Sequence, residues 1–432
     1  MKIFDGHMDI WCDVSKKRKE GCENIVKNFH LERLKKGEVF GGVFAAWLDN
    51  KYSDEDSEKE FIYMLNSVSH EINSNPEIFN IIKSRKDLEK EFPEGKLTIL
   101  MGVEGLRAVG NNLDWLDTLY NLGYRLAALT WNEKNILGTG AGENSCEGLT
   151  EIGKKAVRKM NELGMIVDVS HTNEKTFWDI AEISAKPFIA SHSNARALCD
   201  VPRNLTDEQI KAVAQSGGVI GVNGYIGFIK KCDFSSPAPI ENPDLSFKPD
   251  LKDLADHIDY IAGLVGVDYV GLGFDFCEYL SEELKDTNPK NLEDASKCQN
   301  MIEELRKRGY SENDIEKMEK ISESIFYFNG KDYKLNLVDV GKVKGTIKLA
   351  YPVTFSFEEK AENIPVDTNG MVKISFKTDL QDKEILIPAE SLFEKNGEIM
   401  VWVYNENQVN SKKVNIIKPY SDGMIIVSGI NA

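Results

Sequence analysis

The sequence predicts a two-part α/β chain: a (β/α)8 TIM-type barrel over residues 1–328, then an all-β, Ig-like sandwich over residues 329–432. Three observations carry this. Eight short apolar runs alternate with helical patterns over roughly the first 310 residues, as parallel βα units do. Beyond residue 330 the pattern changes to period-two alternation broken by turn signals. The charge balance changes at the same point. Residues 331–432 hold 13 Lys, no Arg and 14 Asp plus Glu, against 40 Lys plus Arg and 56 Asp plus Glu before them. A doubly wound open sheet is the second topology such alternation allows.

The apolar runs are 2–5, 39–47, 97–103, 124–130, 164–169, 187–191, 217–222 and 268–274. They are rich in Val, Ile, Leu and Phe, which suits strands covered on both faces. Helical patterns fall at 58–74, 113–121, 149–163, 173–183, 206–215, 250–264 and 291–308. The clearest sets Leu149, Ile152, Ala156, Met160 and Leu163 on one face, with Lys154, Lys155, Arg158 and Lys159 off it. Thr206 followed by Gln209 predicts a capping box. The turn Phe328-Asn329-Gly330-Lys331 predicts the domain boundary. Strand patterns then follow at 333–338, 343–349, 353–357, 372–377, 385–387, 398–404, 413–417 and 424–427.

Composition narrows the function. The chain has 432 residues, 41% hydrophobic and 28% charged, as a folded globular protein does. A net charge of -17 argues against nucleic acid and against an anionic membrane surface, because both need clustered Lys and Arg. No apolar stretch is long enough to predict a membrane span. Seven cysteines without a CxxC pair predict free thiols and a cytoplasmic, reducing location. The opening Met-Lys-Ile-Phe-Asp reads as a strand rather than a signal peptide.

In such a barrel the chemistry sits at the C-terminal ends of the strands. Those ends read His7-Met8-Asp9, Gly102-Val103-Glu104-Gly105, Thr130-Trp131-Asn132, Asp168-Val169-Ser170-His171, Ser191-His192-Ser193 and Gly273-Phe274-Asp275. Three of the six histidines thus fall at strand ends, with carboxylates beside them. His7, Asp9, Glu104, His171 and His192 suit divalent metal, zinc before manganese or iron. His7 and Asp9, two apart on a strand, are expected to face the same way. Five ligands are too many for one catalytic ion with an open position. Two ions with Glu104 between them use all five, and a pair ~3.5–4 Å apart can hold a hydroxide and polarise a carbonyl together. His30 and His70 read as solvated helix positions, and His257 as a helix-face residue packing under the barrel.

At these residues the chain resembles the membrane (renal) dipeptidase family. The matching stretches are Asp5-Gly6-His7-Met8-Asp9, Gly102-Val103-Glu104-Gly105, Asp168-Val169-Ser170-His171, Ser191-His192-Ser193 and Pro202-Arg203-Asn204-Leu205. Gly271-Leu272-Gly273-Phe274-Asp275-Phe276 and Arg308-Gly309-Tyr310-Ser311-Glu312-Asn313-Asp314-Ile315 extend the match, in order, over residues 1–318. The resemblance implies a barrel hydrolase with two zinc ions that splits dipeptides and often tolerates a D residue at the C-terminal position. It implies that His7 and Asp9 hold one metal, Glu104 bridges, and His171 and His192 hold the other. Asp275, with Glu104, would carry the catalytic proton chemistry. Arg203 would grip the substrate carboxylate, with Asn204 and Trp131 beside the substrate. An Arg fork suits a carboxylate, and an Asp near two cations can accept and deliver a proton.

The chain departs from the family at two places. Some members carry a His where this chain has Trp131, and an indole N–H is a poorer partner for a tetrahedral intermediate. Members usually close with a Gly-Gly-Asn stretch and a nearby Arg. Here Glu319-Lys320-Ile321-Ser322-Glu323-Ser324 and a β module follow, which reads as an accessory or oligomerisation domain. The expected partners are a dipeptide and, as an open option, a second copy of the chain. The competing readings are another amidohydrolase-type hydrolase of an N-acyl amino acid, lactam or ester, and a degenerate barrel acting as a binding module. Many of those hydrolases bridge their metals with a carbamylated Lys, and the run from Tyr124 to Thr130 has none.

Overall fold

The computed structural model describes residues 1–52, 54–88, 92–230 and 248–319, together with strands between 335 and 428. Every one of the eight apolar runs contains a strand. In chain order these are β1 (Ile3–Met8), β2 (Val39–Trp47), β3 (Phe79–Ile81), β4 (Leu97–Glu104), β5 (Tyr124–Ala128), β6 (Ile166–Asp168), β7 (Phe188–Ile189), β8 (Ile220–Val222) and β9 (Val270–Leu272). Only β3 is unexpected. It has three residues and pairs with the start of β4, below the point where β5 joins.

The strands make one curled parallel sheet. A ladder runs β1-β2-β4-β5-β6-β7, and β8 pairs with β9. The two parts meet where Ala190 bridges Ile220, with the Gly221 N–H donating to the Ala190 carbonyl at 2.8 Å. Among the described residues no ladder joins β9 to β1. A side chain does: Asp5 Oδ1 accepts from the Phe274 N–H at 2.9 Å and from the His7 N–H at 3.2 Å. Apart from β3, the strands follow one another round the curled sheet in chain order.

Two cores explain why these runs became strands. Phe4, Val43, Leu100, Leu126, Ile166, Ile189 and Val219 form an inner cluster, about one side chain per strand. The larger cluster lies between the sheet and its helices. With both faces covered, a strand gains nothing from alternation, hence the continuous apolar runs. Period two then carries the inner face up to the mouth. Leu100 and Glu104 share a face, as do Ile166 and Asp168, and Ile189 and Ser191.

β1 departs from this period. Its register against β2 slips between Asp5 and Met8, so three steps on β1 match two on β2. Such a bulge re-aims a side chain. Here it puts His7 on the inner face with Phe4, three residues earlier. It also corrects the expectation for His7 and Asp9. The strand ends at Met8 and a helix begins at Ile10, so Asp9 is its N-cap (φ -80°, ψ 32°) and not a strand residue. The two side chains still meet, with His7 Nε2 3.6 Å from Asp9 Oδ1.

The expected helices are present as Asp54–Ser74, Asp114–Leu122, Glu151–Leu163, Glu174–Ile183, Asp207–Ser216, Leu251–Val265 and Cys298–Lys307. The last begins later than expected, after an irregular stretch. The capping box forms as expected, with Thr206 and Gln209 bonding reciprocally. Ile10–Lys19, Leu31–Lys36 and Glu312–Glu319 are helices that the sequence pattern does not suggest. Among the described residues no helix is long and apolar enough to cross a membrane. Cys12, Cys22, Cys146, Cys199, Cys277 and Cys298 are free thiols.

His30 corrects another expectation. It is fully buried, not solvated, with Nε2 2.7 Å from Asp13 Oδ2 and Nδ1 facing the Arg33 guanidinium. His70 is exposed as expected, and His257 is buried against the Ala195 N–H and the Ile229 carbonyl. Burial, together with the Arg33 charge, pushes His30 down to about 4 against the pull of Asp13. The unfolded chain takes up a proton near pH 6.5 that the folded chain refuses until about 4. Stability should therefore fall as pH drops through that window, by about 2–3 kcal/mol from this group. Thermal melts between pH 7 and 4 would show it, and His30→Gln should flatten the slope.

The C-terminal strands are β10 (Leu335–Val340), β11 (Val353–Phe357), β12 (Glu384–Pro388), β13 (Phe393–Lys395), β14 (Glu398–Asn405), β15 (Gln408–Lys413), β16 (Asn415–Pro419) and β17 (Met424–Ser428). All their pairings are antiparallel: β10 with β11, then sheets β12-β17-β16 and β13-β14-β15. The expected strands at 343–349 and 372–377, and the expected boundary at 328–331, lie outside the described residues. The chain divides into compact units Met1–Thr368 and Asn369–Ala432.

Candidate metal centre

Six chemistry-bearing residues reach the mouth of the curled sheet from the ends of five strands. The bulge aims His7 inward, and Asp9 follows as the first helix cap. Glu104 is the last residue of β4. His171 and His192 lie just past β6 and β7, and Asp275 just past β9. His171 and Asp275 have left-handed backbone, at φ 66° and 57°. Such conformations cost about 1–2 kcal/mol for a residue with a Cβ and concentrate at functional sites.

Glu104 sits at the centre. Its Oε1 lies 2.6 Å from His171 Nε2 and 3.2 Å from His192 Nε2. Its Oε2 lies 3.4 Å from His7 Nε2. Each carboxylate oxygen thus faces a different set of imidazoles. His171 Nε2 and His192 Nε2 are 2.8 Å apart, and the His7 ring stacks on His192 at 3.8 Å. Ligand atoms of His7, Glu104 and His192 lie within 4.8 Å of one another, and so do those of His7, Asp9 and Asp275. Asp275 therefore lies beside the candidate ligands His7 and Asp9.

The electrostatics call for cations. Burial and the Glu104 charge push Asp9 up. Burial, with Asp9 and Glu104 beside it, pushes Asp275 up to about 7 against the pull of His7. Burial, with Arg203 nearby, holds His171 down to about 4, and burial with His7 and Arg203 nearby holds His192 well below its usual range. Burial opposes charge on Glu104 too, but His171 and His7 keep it well below the usual carboxylate range. Burial likewise opposes a charge on His7, yet Glu104 and Asp9 raise it well above the usual range. Neutral imidazoles, as at His171 and His192, and crowded carboxylates are what divalent metal binds, and at His7 a metal would take the place of the proton that Glu104 and Asp9 favour. His7 has both ring nitrogens buried without a hydrogen-bond partner, which a metal ligand would resolve. The donor set fits divalent metal.

Around the ligands, Asn132 Oδ1 lies 2.8 Å from His171 Nδ1, and Asn223 Nδ2 donates to Asp275 Oδ2 at 3.1 Å. The Cys277 thiol lies 3.4 Å from Asp275 Oδ1 and 3.7 Å from Asp9 Oδ2. Arg203 is 6% exposed, and Nη1 donates to Ser193 Oγ at 2.7 Å, Nη2 to the His192 carbonyl at 2.8 Å. Its Nε has no partner, and burial pushes the guanidinium down to about 10. Trp131 lies 6.0 Å from His171, ring to ring, and packs on Trp47 at 5.1 Å.

The structure thus brings His7, Asp9, Glu104, His171, His192 and Asp275 into one cluster, with Arg203 and Trp131 at its edge. Asn204 is placed differently. Its amide donates to the carbonyls of Cys199 and Phe228, at 2.9 and 2.8 Å, rather than toward the cluster. Sequence reasoning missed Asn132, Asn223 and Cys277. Asn132 adjoins Trp131 at the end of the β5 run, and Asn223 directly follows β8; neither strand end carries an ionisable side chain. Neither residue type signals catalysis by itself.

The fold and this cluster define a metal-dependent hydrolase built on a curled parallel sheet. The membrane dipeptidase family model, peptidase family M19, matches residues 1–320, and the chain belongs to that family of metal-dependent dipeptidases. It is 29% identical over 333 residues to an uncharacterised dipeptidase of Schizosaccharomyces pombe, covering 72% of this chain and 76% of that one. It is 34% identical over 244 residues to an uncharacterised protein encoded in the pqqA 5' region of Klebsiella pneumoniae, covering 54% and 83%. Among solved structures, it is similar in fold to a metallopeptidase of Rhodobacter sphaeroides liganded with a phosphinate mimic of the dipeptide L-Ala-D-Ala. That match has a TM-score of 0.66 and 24% identity and covers 76% of this chain and 98% of that one. A probable dipeptidase of Pseudomonas aeruginosa, PvdM, matches with a TM-score of 0.60 and 24% identity, over 69% and 88%.

Proposed function

We propose that the chain is a dinuclear-metal dipeptidase, zinc-dependent, that cleaves the peptide bond of free dipeptides and accepts a D residue at the C-terminal position. The observation that carries the dipeptide reading is Arg203. It is a buried cation that forms no ion pair among the described residues, and a buried charge without a counter-ion is costly. A substrate carboxylate supplies that counter-ion. The L-Ala-D-Ala mimic bound by the Rhodobacter sphaeroides protein is in keeping with a D residue there.

His7 and Asp9 would hold one ion, His171 and His192 the other, and Glu104 would be shared between them. Bound there, the pair would supply Lewis-acid activation of water and of the scissile carbonyl. The chain's own residues do the rest. Arg203, clamped by Ser193 and the His192 carbonyl, presents its remaining N–H groups to the carboxylate and fixes the dipeptide's length. Asp275, oriented by Asn223, takes a proton from the attacking water and delivers it to the leaving amine. Trp131 and Trp47 wall the site beside His171 and limit the water that reaches it. The ring is read as a complete (β/α)8 barrel over 1–328, and the C-terminal sheets as an accessory Ig-like sandwich over 329–432.

The test is Arg203→Ala. Removing a charge-assisted hydrogen-bonding partner from a buried site costs about 2–4 kcal/mol, so kcat/KM on free dipeptides should fall by ~30- to 1000-fold. Amidated dipeptides should be poor substrates of the parent chain and barely change in the variant. Arg203→Lys should recover only part of the loss, because an ammonium lacks the fork. Equal losses on free and amidated substrates would reduce Arg203 to a strut for His192.

A further inference from the structure

Behind the two imidazoles that face Glu104 Oε1, the structure builds two different supports. His171 Nδ1 faces the neutral amide oxygen of Asn132 at 2.8 Å. His192 Nδ1 lies 2.7 Å from Ser191 Oγ, and that hydroxyl in turn donates to Asp168 Oδ2. The third imidazole has no such support: His7 Nδ1 is buried with no hydrogen-bond partner. We infer that Asp168 and Ser191 form a positioning relay behind His192, and that it makes the Glu104–His171–His192 position the tighter of the two metal positions. This rests on the dinuclear reading above.

Direction follows from the donors available. A carboxylate only accepts, so the Ser191 hydroxyl proton points to Asp168. Ser191 Oγ then has only lone pairs to offer His192, whose Nδ1 must carry the proton. That leaves His192 Nε2 as a bare lone pair aimed at Glu104 Oε1, 3.2 Å away. Carboxylate charge at the end of the relay also makes the imidazole a stronger donor, as it does wherever a carboxylate backs a ligating His.

The relay is held in place from every side. Asp168 Oδ1 accepts from the Ser170 and Ser191 N–H groups, at 2.9 and 3.0 Å, so the carboxylate cannot swing. The His192 N–H donates to Ser170 Oγ at 3.1 Å, and its carbonyl accepts from Arg203 at 2.8 Å. Two glycines let the neighbouring strands close on Ser191. A Cβ at Gly221 or at Gly273 would sit 2.1 or 2.0 Å from the Ser191 carbonyl oxygen, a distance no side chain tolerates. Asp168 and Ser191 are buried and are not among the candidate ligands. Of these hydrogen bonds, the one from Ser191 Oγ reaches His192 Nδ1, and the others fix the groups behind it.

The test is a Co2+ titration of the metal-free full-length chain, followed by calorimetry and by visible absorption. The parent should bind two ions in separable steps. Ser191→Ala should weaken the first step by ~10- to 100-fold and leave the second unchanged. Ser191→Thr keeps the hydroxyl and should restore the first step. Asp168→Asn is the sharper variant. Its Oδ1 can still accept from both N–H groups, but its amide would donate to Ser191 Oγ. The hydroxyl proton would then turn to His192 Nδ1 and favour the tautomer whose Nε2 is blocked, so the first step should weaken at least as much as in Ser191→Ala. Nitrogen NMR of the metal-free protein should show His192 protonated on Nδ1 in the parent and on Nε2 in Asp168→Asn. An unchanged first step in both variants would overturn the relay. Weakening of the second step alone would overturn the order of the two positions. A parent that binds one ion would instead overturn the dinuclear reading. If Ser191→Ala does not fold, the Thr and Asn variants still decide.

Discussion

Replacing His171 by Ala should leave the chain with one bound ion instead of two and remove nearly all dipeptidase activity. His171 Nε2 is 2.6 Å from Glu104 Oε1, nearer than either other imidazole nitrogen. Without it, one position keeps only Glu104 and His192, too few to hold a divalent ion tightly. Losing the charge that the ion brings to the transition state is worth several kcal/mol, so kcat should drop at least ~10³-fold. Elemental analysis after reconstitution and turnover of one good dipeptide are sufficient. Two ions retained, or activity within tenfold of the parent, would remove His171 from the ligand set. The side chain packs against Trp131 at the mouth, not in either core, so the variant should fold.

Asp275→Asn separates proton transfer from metal binding at the opposite side of the cluster. An amide keeps the size of the side chain and an oxygen to accept from Asn223 Nδ2, but it cannot hold a proton at working pH. If Asp275 moves the proton between water and leaving amine, kcat should fall by ~10²- to 10⁴-fold with KM and metal content nearly unchanged. Ligand atoms of Asp275 also lie within 4.8 Å of those of His7 and Asp9. Loss of an ion in the variant would make it chiefly a ligand. A kcat within tenfold of the parent would exclude both roles.

Much of this site was legible because strand ends carry their residues into one place. Three histidines among six, each closing an apolar run, could be collected without knowing a single distance. The continuous apolar runs marked the sheet because both its faces are covered. Short-range geometry was not legible. The β1 bulge depends on how two strands pair across the sheet, so a rule of two-residue spacing put Asp9 on a strand that ends before it. Ile10–Lys19 follows β1 with no loop, and its N-cap Asp9 makes no side-chain cap bond, so no start signal separates helix from strand. His30 sits in a short polar-looking stretch, Lys27-Asn28-Phe29-His30, and its burial rests on partners the stretch does not show, chiefly Asp13 from another helix, with Arg33 and Tyr279. Ser191 and Asp168 were in view as parts of motifs, but a hydroxyl and a carboxylate have too many uses for type alone to assign one.

The left-handed backbone at His171 and Asp275 bears on how such a chain ages. At each position glycine would hold the same φ without the ~1–2 kcal/mol penalty, so the fold on its own would be better served by losing the side chain. The metal and proton roles proposed above are what would keep a histidine and an aspartate there. A duplicate copy relieved of catalysis would feel no such restraint, and drift toward stability would run through these two codons early. Glycine at either place in a related chain would therefore date its retirement from enzyme work better than the wear on its outer loops.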